Sequence, residues 1–369
     1  MKKTLAAVAI LGAFAGSALA ADVTFYGKVD LGVQYVNSEK GDVKSHNWGL
    51  RSGSGSSSRF GLKGSEQISD ALTVGFQLEH GFKADQQENT EMFNREMRLY
   101  VASDFGTLHM GRFGGLDSTT GSVSVASSFY SMGGGYGEDI GGCGVVVHKP
   151  SRMANSIAYA SPEFAGVTVS AMASLGEDHY NQASAELDEG SNGKFSVKYD
   201  VDGKEGSSKV DRYYALGVEG QWGALGAGLV ASVEDYGSKM DSAKKDNSRN
   251  VTAGVNYDFG FAKTFLAANW YDDGADLEQS GVVVGFEAPL PVGFVEFQAG
   301  YGEFDDTTKA NAKDGDAWMV GGFYKYPLSK RTYLYTAAGY QEKSYDKKAA
   351  AKEGDFKKLE AVAGLVHNF

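Results

Sequence analysis

The sequence predicts an all-β fold, a sixteen-stranded antiparallel transmembrane β-barrel behind an export leader. Three observations point there. Many segments alternate apolar and polar residues with a period of two, which gives a strand one apolar and one polar face. Very short turns take turns with long polar connections. The chain of 369 residues carries 50 Gly, 20 Tyr and 21 Phe but 5 Pro. Abundant Gly is costly in helices, and aromatics favour strands and membrane interfaces.

The elements follow in chain order. Lys2 and Lys3 form a basic start, Leu5 to Leu19 an apolar run, and Ala18-Leu19-Ala20 a small-x-small cleavage pattern, so residues 1–20 read as a signal peptide. The run is too short to span a membrane comfortably, which takes about 20 apolar residues. The mature chain, 21–369, is expected to be one transmembrane β-barrel. It holds no later candidate for a transmembrane helix, and barrel strands give only a weak hydropathy signal. In the first strand Phe25, Val29, Leu31, Val33 and Tyr35 share one face, and Tyr26, Lys28, Asp30 and Gln34 the other. Arg59 to Lys63 repeats the alternation, as do Phe93, Met97, Leu99 and Val101 against Asn94, Glu96 and Arg98; Arg95 breaks it on the apolar side.

Sixteen strands are expected near 23–36, 58–69, 71–83, 92–103, 106–113, 151–162, 165–175, 211–222, 223–234, 249–259, 261–271, 280–288, 292–302, 316–327, 330–342 and 358–369. Short turns fall at Ser69-Asp70, Asp104-Phe105, Pro162-Glu163, Phe259-Gly260 and Ser329-Lys330. Long polar connections fall at 37–57, 176–210, 235–248, 303–315 and 343–357. A closed sheet pairs every backbone group without an edge, which hydrocarbon demands. A soluble β-sandwich is the competing reading, but it leaves this many half-polar strands without a matching core. The last strand is amphipathic and ends on Phe369 itself, as expected of a strand that closes the barrel at an interface.

Several stretches resemble the Gram-negative general, non-specific porins, especially those of betaproteobacterial type. They are Ala21-Asp22-Val23-Thr24-Phe25-Tyr26-Gly27, Ser58-Arg59-Phe60-Gly61-Leu62-Lys63-Gly64, Phe105-Gly106-Thr107-Leu108 leading to Gly111-Arg112, Asn155-Ser156-Ile157-Ala158-Tyr159 followed by Ser161-Pro162, and the terminal Phe369. The resemblance implies a homotrimer in the bacterial outer membrane, in contact with outer-membrane lipid and lipopolysaccharide, with Phe369 read by the barrel-assembly machinery. It implies passive diffusion of small hydrophilic solutes and ions. It also implies a constriction loop folded into the lumen, here 114–150, with acidic groups facing a basic wall. The acidic candidates are Asp117, Glu138 and Asp139; the basic ones are Lys28, Arg59, Lys63, Arg98 and Arg112. Lys28, Arg59, Lys63 and Arg98 lie on polar strand faces. Arg112 shares the parity of Met110, which suggests a bulge or a rim position. The loop's Gly133-Gly134-Gly135, Gly137 and Gly141-Gly142 depart from the family's usual wording, and Cys143 reads as a small buried residue.

Charge and motifs exclude other classes. The formal charge of −12 becomes −14 without Lys2 and Lys3, which argues against a nucleic-acid partner. One cysteine permits neither an intrachain disulfide nor a cysteine metal cluster. The six histidines show no metal-ligand spacing, and Gly133-Gly134-Gly135 lacks the lysine and the strand–helix context of a phosphate loop. No enzyme and no cofactor are expected. Asp272, Asp273 and Asp276, or Asp305 and Asp306, offer oxygens to a loop-bound divalent cation, although a solvated acidic loop is the simpler reading. The alternatives are a substrate-specific porin, for which Tyr130 and Tyr136 are weak support, and a structural or adhesive barrel.

Overall fold

Alternation becomes strand wherever one face meets lipid and the other meets water. In the first strand, β1 (Thr24–Lys40), Asp30 and Gln34 are almost fully buried while Val33 is 53% exposed. This inverts the polarity of a soluble domain and is the mark of a lipid-facing wall. The computed structural model describes residues 23–87, 91–133, 135–136, 140–176, 185–189, 195–199, 211–235, 246–306, 312–347 and 355–369.

The wall continues through β2 (Val43–Ser52) and β3 (Arg59–Ser69), β4 (Leu72–Gly81), β5 (Glu96–Ser103), β6 (Gly106–Gly114), β7 (Arg152–Ala160) and β8 (Val167–Ser174). A hairpin of β9 (Ala185–Glu189) and β10 (Phe195–Tyr199) pairs, among the described residues, only with itself. The wall resumes with β11 (Arg212–Trp222), which pairs with β8, then β12 (Leu225–Asp235), β13 (Ser248–Asp258), β14 (Lys263–Asp272), β15 (Leu277–Pro289), β16 (Phe294–Asp306), β17 (Ala312–Pro327), β18 (Thr332–Lys347) and β19 (Phe356–Asn368). All pairings are antiparallel. β19 returns to β1 from Lys28↔Asn368 to Lys40↔Phe356 and closes the sheet. β2 and β3 share one wall position, so the barrel has sixteen strands.

Phe369 completes the closure. Its N–H donates to Gly27 O at 3.0 Å, and Gly27 N–H donates back to Phe369 O at 3.2 Å. Its ring lies 5.7 Å from that of Phe25. Outward aromatics ring both ends of the apolar belt. Phe105, Phe164, Trp222, Phe259 and Phe261 mark the short-turn end, and Trp48, Tyr301 and Trp318 the long-loop end.

Two differences from the sequence reading have a physical cause. Residues 37–57 were expected as a long connection, yet pairing runs on through Lys40↔Val43 over a turn at Gly41, whose φ is +58°. Likewise β16 and β18 extend to Asp306 and Lys347. Beyond the lipid both strand faces are polar, so the two-residue hydropathy period vanishes while backbone pairing persists. Arg95 is the second case. Phe93 takes a φ of +58° just before β5, which breaks the strand phase there. Arg95 consequently joins the inner face, with Nε 2.6 Å from Glu79 Oε1. The expected connections 176–210 and 235–248 fall largely outside the described residues.

Candidate functional site: the loop-lined lumen

The segment between Gly114 and Arg152 packs against the inside of the wall. Apolar residues of this loop, including Leu116, Val125, Phe129, Cys143, Val146 and Val147, are almost fully buried against inward residues such as Phe113, Met172, Tyr213, Val230, Val283 and Met319. A second cluster seats Met132 and Ile140 on Phe323, Tyr335 and Val362.

Small residues on the wall make that seat. A Cβ at Gly254 would collide with the Phe129 ring, one at Gly281 with the Val146 carbonyl, and one at Gly321 with the Gly141 backbone. The glycine enrichment noted in the sequence thus has a use beyond turns: it lets a loop backbone lie directly on a strand.

Inward amides then catch the loop backbone. Gln298 accepts from Met132 N–H at 3.2 Å and donates to Gly141 O at 2.7 Å. Asn269 accepts from His148 N–H at 2.9 Å, Asn256 donates to Ser128 O at 3.1 Å, and Gln279 donates to Val145 O at 3.3 Å. The loop's Tyr136 stacks on Phe323 at 3.9 Å and donates its hydroxyl to Glu296. Burial, helped by the Glu296 charge, pushes the Tyr136 phenol up, so it remains a donor. Burial also pushes the Cys143 thiol up.

Asp117 corrects an expectation. It was a candidate for a lumen-facing acid of the constriction, yet it is 2% exposed. Its carboxylate accepts from Tyr213 Oη at 2.5 Å, from Asn250 Nδ2 at 2.7 Å and from the Ser232 hydroxyl. These donors come from β11, β12 and β13, so Asp117 anchors the loop to the wall. Glu138 and Asp139 lie outside the described residues.

The basic candidates gather on β1, β3, β5 and β6, an arc whose Glu96 accepts from the loop's Ser122 N–H at 3.0 Å and Ser122 hydroxyl at 2.7 Å. Lys28 Nζ donates to Ser56 Oγ at 3.1 Å. Arg59 Nε is 3.3 Å from Glu79, the same carboxylate that Arg95 engages. Tyr26 donates to Glu79 at 3.0 Å and accepts from Gln77 at 3.0 Å; Gln77 in turn accepts from Arg98 at 2.9 Å. Arg98 also sits 3.1 Å from His109 Nδ1 and 3.7 Å from Glu96. Lys63 stands apart from this chain, exposed, with its Nζ 5.5 Å from the Tyr26 ring centroid. Arg112 follows Gly111, whose φ is +125°, at a register shift between β6 and β7. Its Nε donates to Asn94 O at 3.3 Å, a place at the rim of the arc.

Three residues outside the basic candidates named from the sequence complete the arc. Arg95 was masked by its apparent parity. Arg152 lies within electrostatic range of Arg95, Arg112, Glu79 and Glu96. Lys325 lies in range of Lys28 and Glu296, with Nζ 4.4 Å from the Tyr333 ring centroid. Among the described residues, the six cations Lys28, Arg59, Arg95, Arg98, Arg152 and Lys325 outnumber the carboxylates Glu79, Glu96, Glu296 and Glu287, the last lying directly across the strands from Glu296.

Among the described residues no group of three His, Cys, Asp or Glu is placed to hold a metal ion. Asp273 Oδ1 accepts from the N–H groups of Ala275, Asp276 and Leu277, and Asp272 from that of Gly274, so these acids shape their own turn.

Comparison with known proteins agrees with this geometry. The profile of the Gram-negative porin family matches residues 5–346. Outer membrane porin protein 32 of Delftia acidovorans is 29% identical over 353 residues, covering 91% of this chain and 88% of its own. An anion-selective porin from Comamonas acidovorans superposes with a TM-score of 0.65 at 23% identity, covering 95% of this chain and all (100%) of that one. OmpT of Vibrio cholerae, an outer membrane protein solved in a trimer form, superposes at 0.61 with 16% identity, over 95% and 100% of the two chains. With a closed sixteen-stranded wall, a loop seated inside it and a family match along most of its length, the chain belongs to the Gram-negative porin family.

Proposed function

We propose that the protein is a passive diffusion channel of the bacterial outer membrane for small hydrophilic solutes and ions, with a preference for anions. One observation carries the preference: among the described residues of the basic arc six cations face four carboxylates, while the described loop acid Asp117 is withdrawn into the wall. A low-dielectric wall sharpens such a local field, so the lining decides selectivity rather than the net charge of −12. The Comamonas relative of the same fold is an anion-selective porin, which supports this reading.

Transport here needs no covalent step. The wall contributes width and a lateral field, and solutes move down their own gradients. General diffusion is favoured over a substrate-specific path because the loop aromatics serve packing: Tyr130 is 6% exposed in the loop–wall core, and Phe323 and Tyr335 beside Tyr136 are buried. A homotrimer is the assembly we infer, supported by the trimer form of the Vibrio protein. Contact with lipopolysaccharide, and reading of Phe369 by the assembly machinery, belong to the same proposal. The test is reversal potential across a planar bilayer under a KCl gradient: a chloride-side potential supports the preference and a potassium-side potential refutes it.

A further inference from the structure

The second wall strand is interrupted inside the barrel. Leu31 pairs with Ser52, and Lys28 pairs with Arg59. Val29 and Asp30 of β1 therefore face six residues, Gly53 to Ser58. This insertion is larger than an ordinary bulge, which adds one residue.

The excess chain folds inward. Asp30, Lys28 and Tyr335 all belong to inner faces, and the insertion touches each of them. Asp30 Oδ2 accepts from Gly55 N–H and Ser56 N–H, both at 2.6 Å. Asp30 Oδ1 accepts from Tyr335 Oη at 2.7 Å. Ser58 Oγ accepts from Asp30 N–H at 3.0 Å, and Gly53 N–H donates to Asp30 O at 3.2 Å. A Cβ at Gly55 would strike the Tyr335 ring. Asp30 is 0% exposed, so its charge is spent on holding backbone rather than on the lumen.

The held segment then meets the basic arc. Ser56 Oγ accepts from Lys28 Nζ at 3.1 Å, and Ser57 O accepts from Arg59 Nη1 at 3.1 Å. Two cations of the arc are thus aimed by an inserted segment, one through the Ser56 hydroxyl and one through the Ser57 carbonyl, whose shape depends on one buried carboxylate.

We propose that Gly53–Ser58 is a second constriction element, standing beside the 114–150 loop with Tyr335 shared between them, and that Asp30 is its positioning residue. It narrows the path on the basic side and sets the presentation of Lys28 and Arg59 to passing anions. This rests on the channel reading above.

The test deletes Ser54 to Ser57 from the full-length chain, leaving two residues opposite two, and measures refolded protein in planar bilayers. Single-channel conductance is expected to rise roughly 1.5-fold or more as the narrow section widens. The chloride-side reversal potential is expected to fall toward zero. Asp30→Asn should move both readings the same way by less. A folded deletion variant with wild-type conductance and reversal potential overturns the proposal. A second measurement serves if the deletion does not fold: Ser56→Cys in a Cys143→Ala background, treated with a bulky methanethiosulfonate. Loss of at least half the open current is expected; an unchanged current, whether the thiol stays unlabelled or the label sits clear of the path, overturns it. Wild-type barrels that pass no current would sink the channel reading itself, an outcome separate from either variant result.

Discussion

Asp117→Ala tests the loop seat most sharply. The side chain accepts from three donors on three strands, Tyr213, Ser232 and Asn250, at a site where it is 2% exposed. Leaving a buried donor without its acceptor costs about 1–3 kcal/mol. The two hydroxyls are able to rotate toward other acceptors, so we discount the sum and expect roughly 3–4 kcal/mol against the seated loop. At about 1.4 kcal/mol per decade, this raises the released population by a factor of roughly 100 to 1,000. The loop has other anchors, notably Gln298 and the Phe129–Gly254 contact, so it should detach at its N-terminal part while the barrel remains closed. Two assays read this: current noise and closures at fixed voltage, and the rate of protease cleavage within 114–150 in the folded barrel. Both should rise steeply. Asp117→Asn, which keeps an acceptor oxygen, should fall between. A variant with wild-type noise and protease resistance would refute the anchoring role.

Other outcomes follow from the same contacts. Arg98→Gln combined with Arg152→Gln should shift the reversal potential toward cations at 0.1 M salt and by less at 1 M, because the screening length shrinks from about 10 Å to about 3 Å; an unchanged potential at 0.1 M would remove the arc from selectivity. Gly254→Val should displace Phe129 from its seat and cost about 1–3 kcal/mol, measured as a lower temperature for conversion of folded to unfolded protein on gels. The Cys143 thiol, 0% exposed and pushed up by burial, should resist maleimide at pH 8 in the folded barrel and react once the protein is unfolded. The sign for stability follows: the folded state holds this proton more tightly, so stability is fully present below the thiol's ordinary 9.0 and is lost progressively as pH rises above it. Denaturation midpoints of wild type against Cys143→Ala between pH 8 and 10 check this, wild type losing more.

The wall was readable because each membrane strand repeats one physical contrast, lipid against water. β13 shows it cleanly, with Ser248, Asn250, Thr252 and Asn256 buried and Val251 and Val255 exposed. Where the contrast ends, so does the signal, and the β1–β2 hairpin beyond the lipid was read as loop. The candidate site was partly readable. Lys28, Arg59 and Arg98 follow strand parity into the lumen, while Arg95 does not, because the left-handed Phe93 resets the phase. Asp117 shows the deeper limit. Whether a loop carboxylate faces water or wall depends on Tyr213, Ser232 and Asn250, about 100 or more residues away in sequence and brought together only by the closed sheet. The Gly53–Ser58 insertion was hidden similarly, since a Gly/Ser run looks alike in a solvated turn and in a segment clasped by a buried aspartate.

The most direct measurement is single-channel conductance of the purified, refolded protein in a planar bilayer, with the reversal potential taken under a KCl gradient. Ohmic steps arriving in groups of three, with a chloride-side potential, are expected of an open trimer lined by the basic arc. Demonstrably folded barrels that pass no current would contradict the diffusion channel.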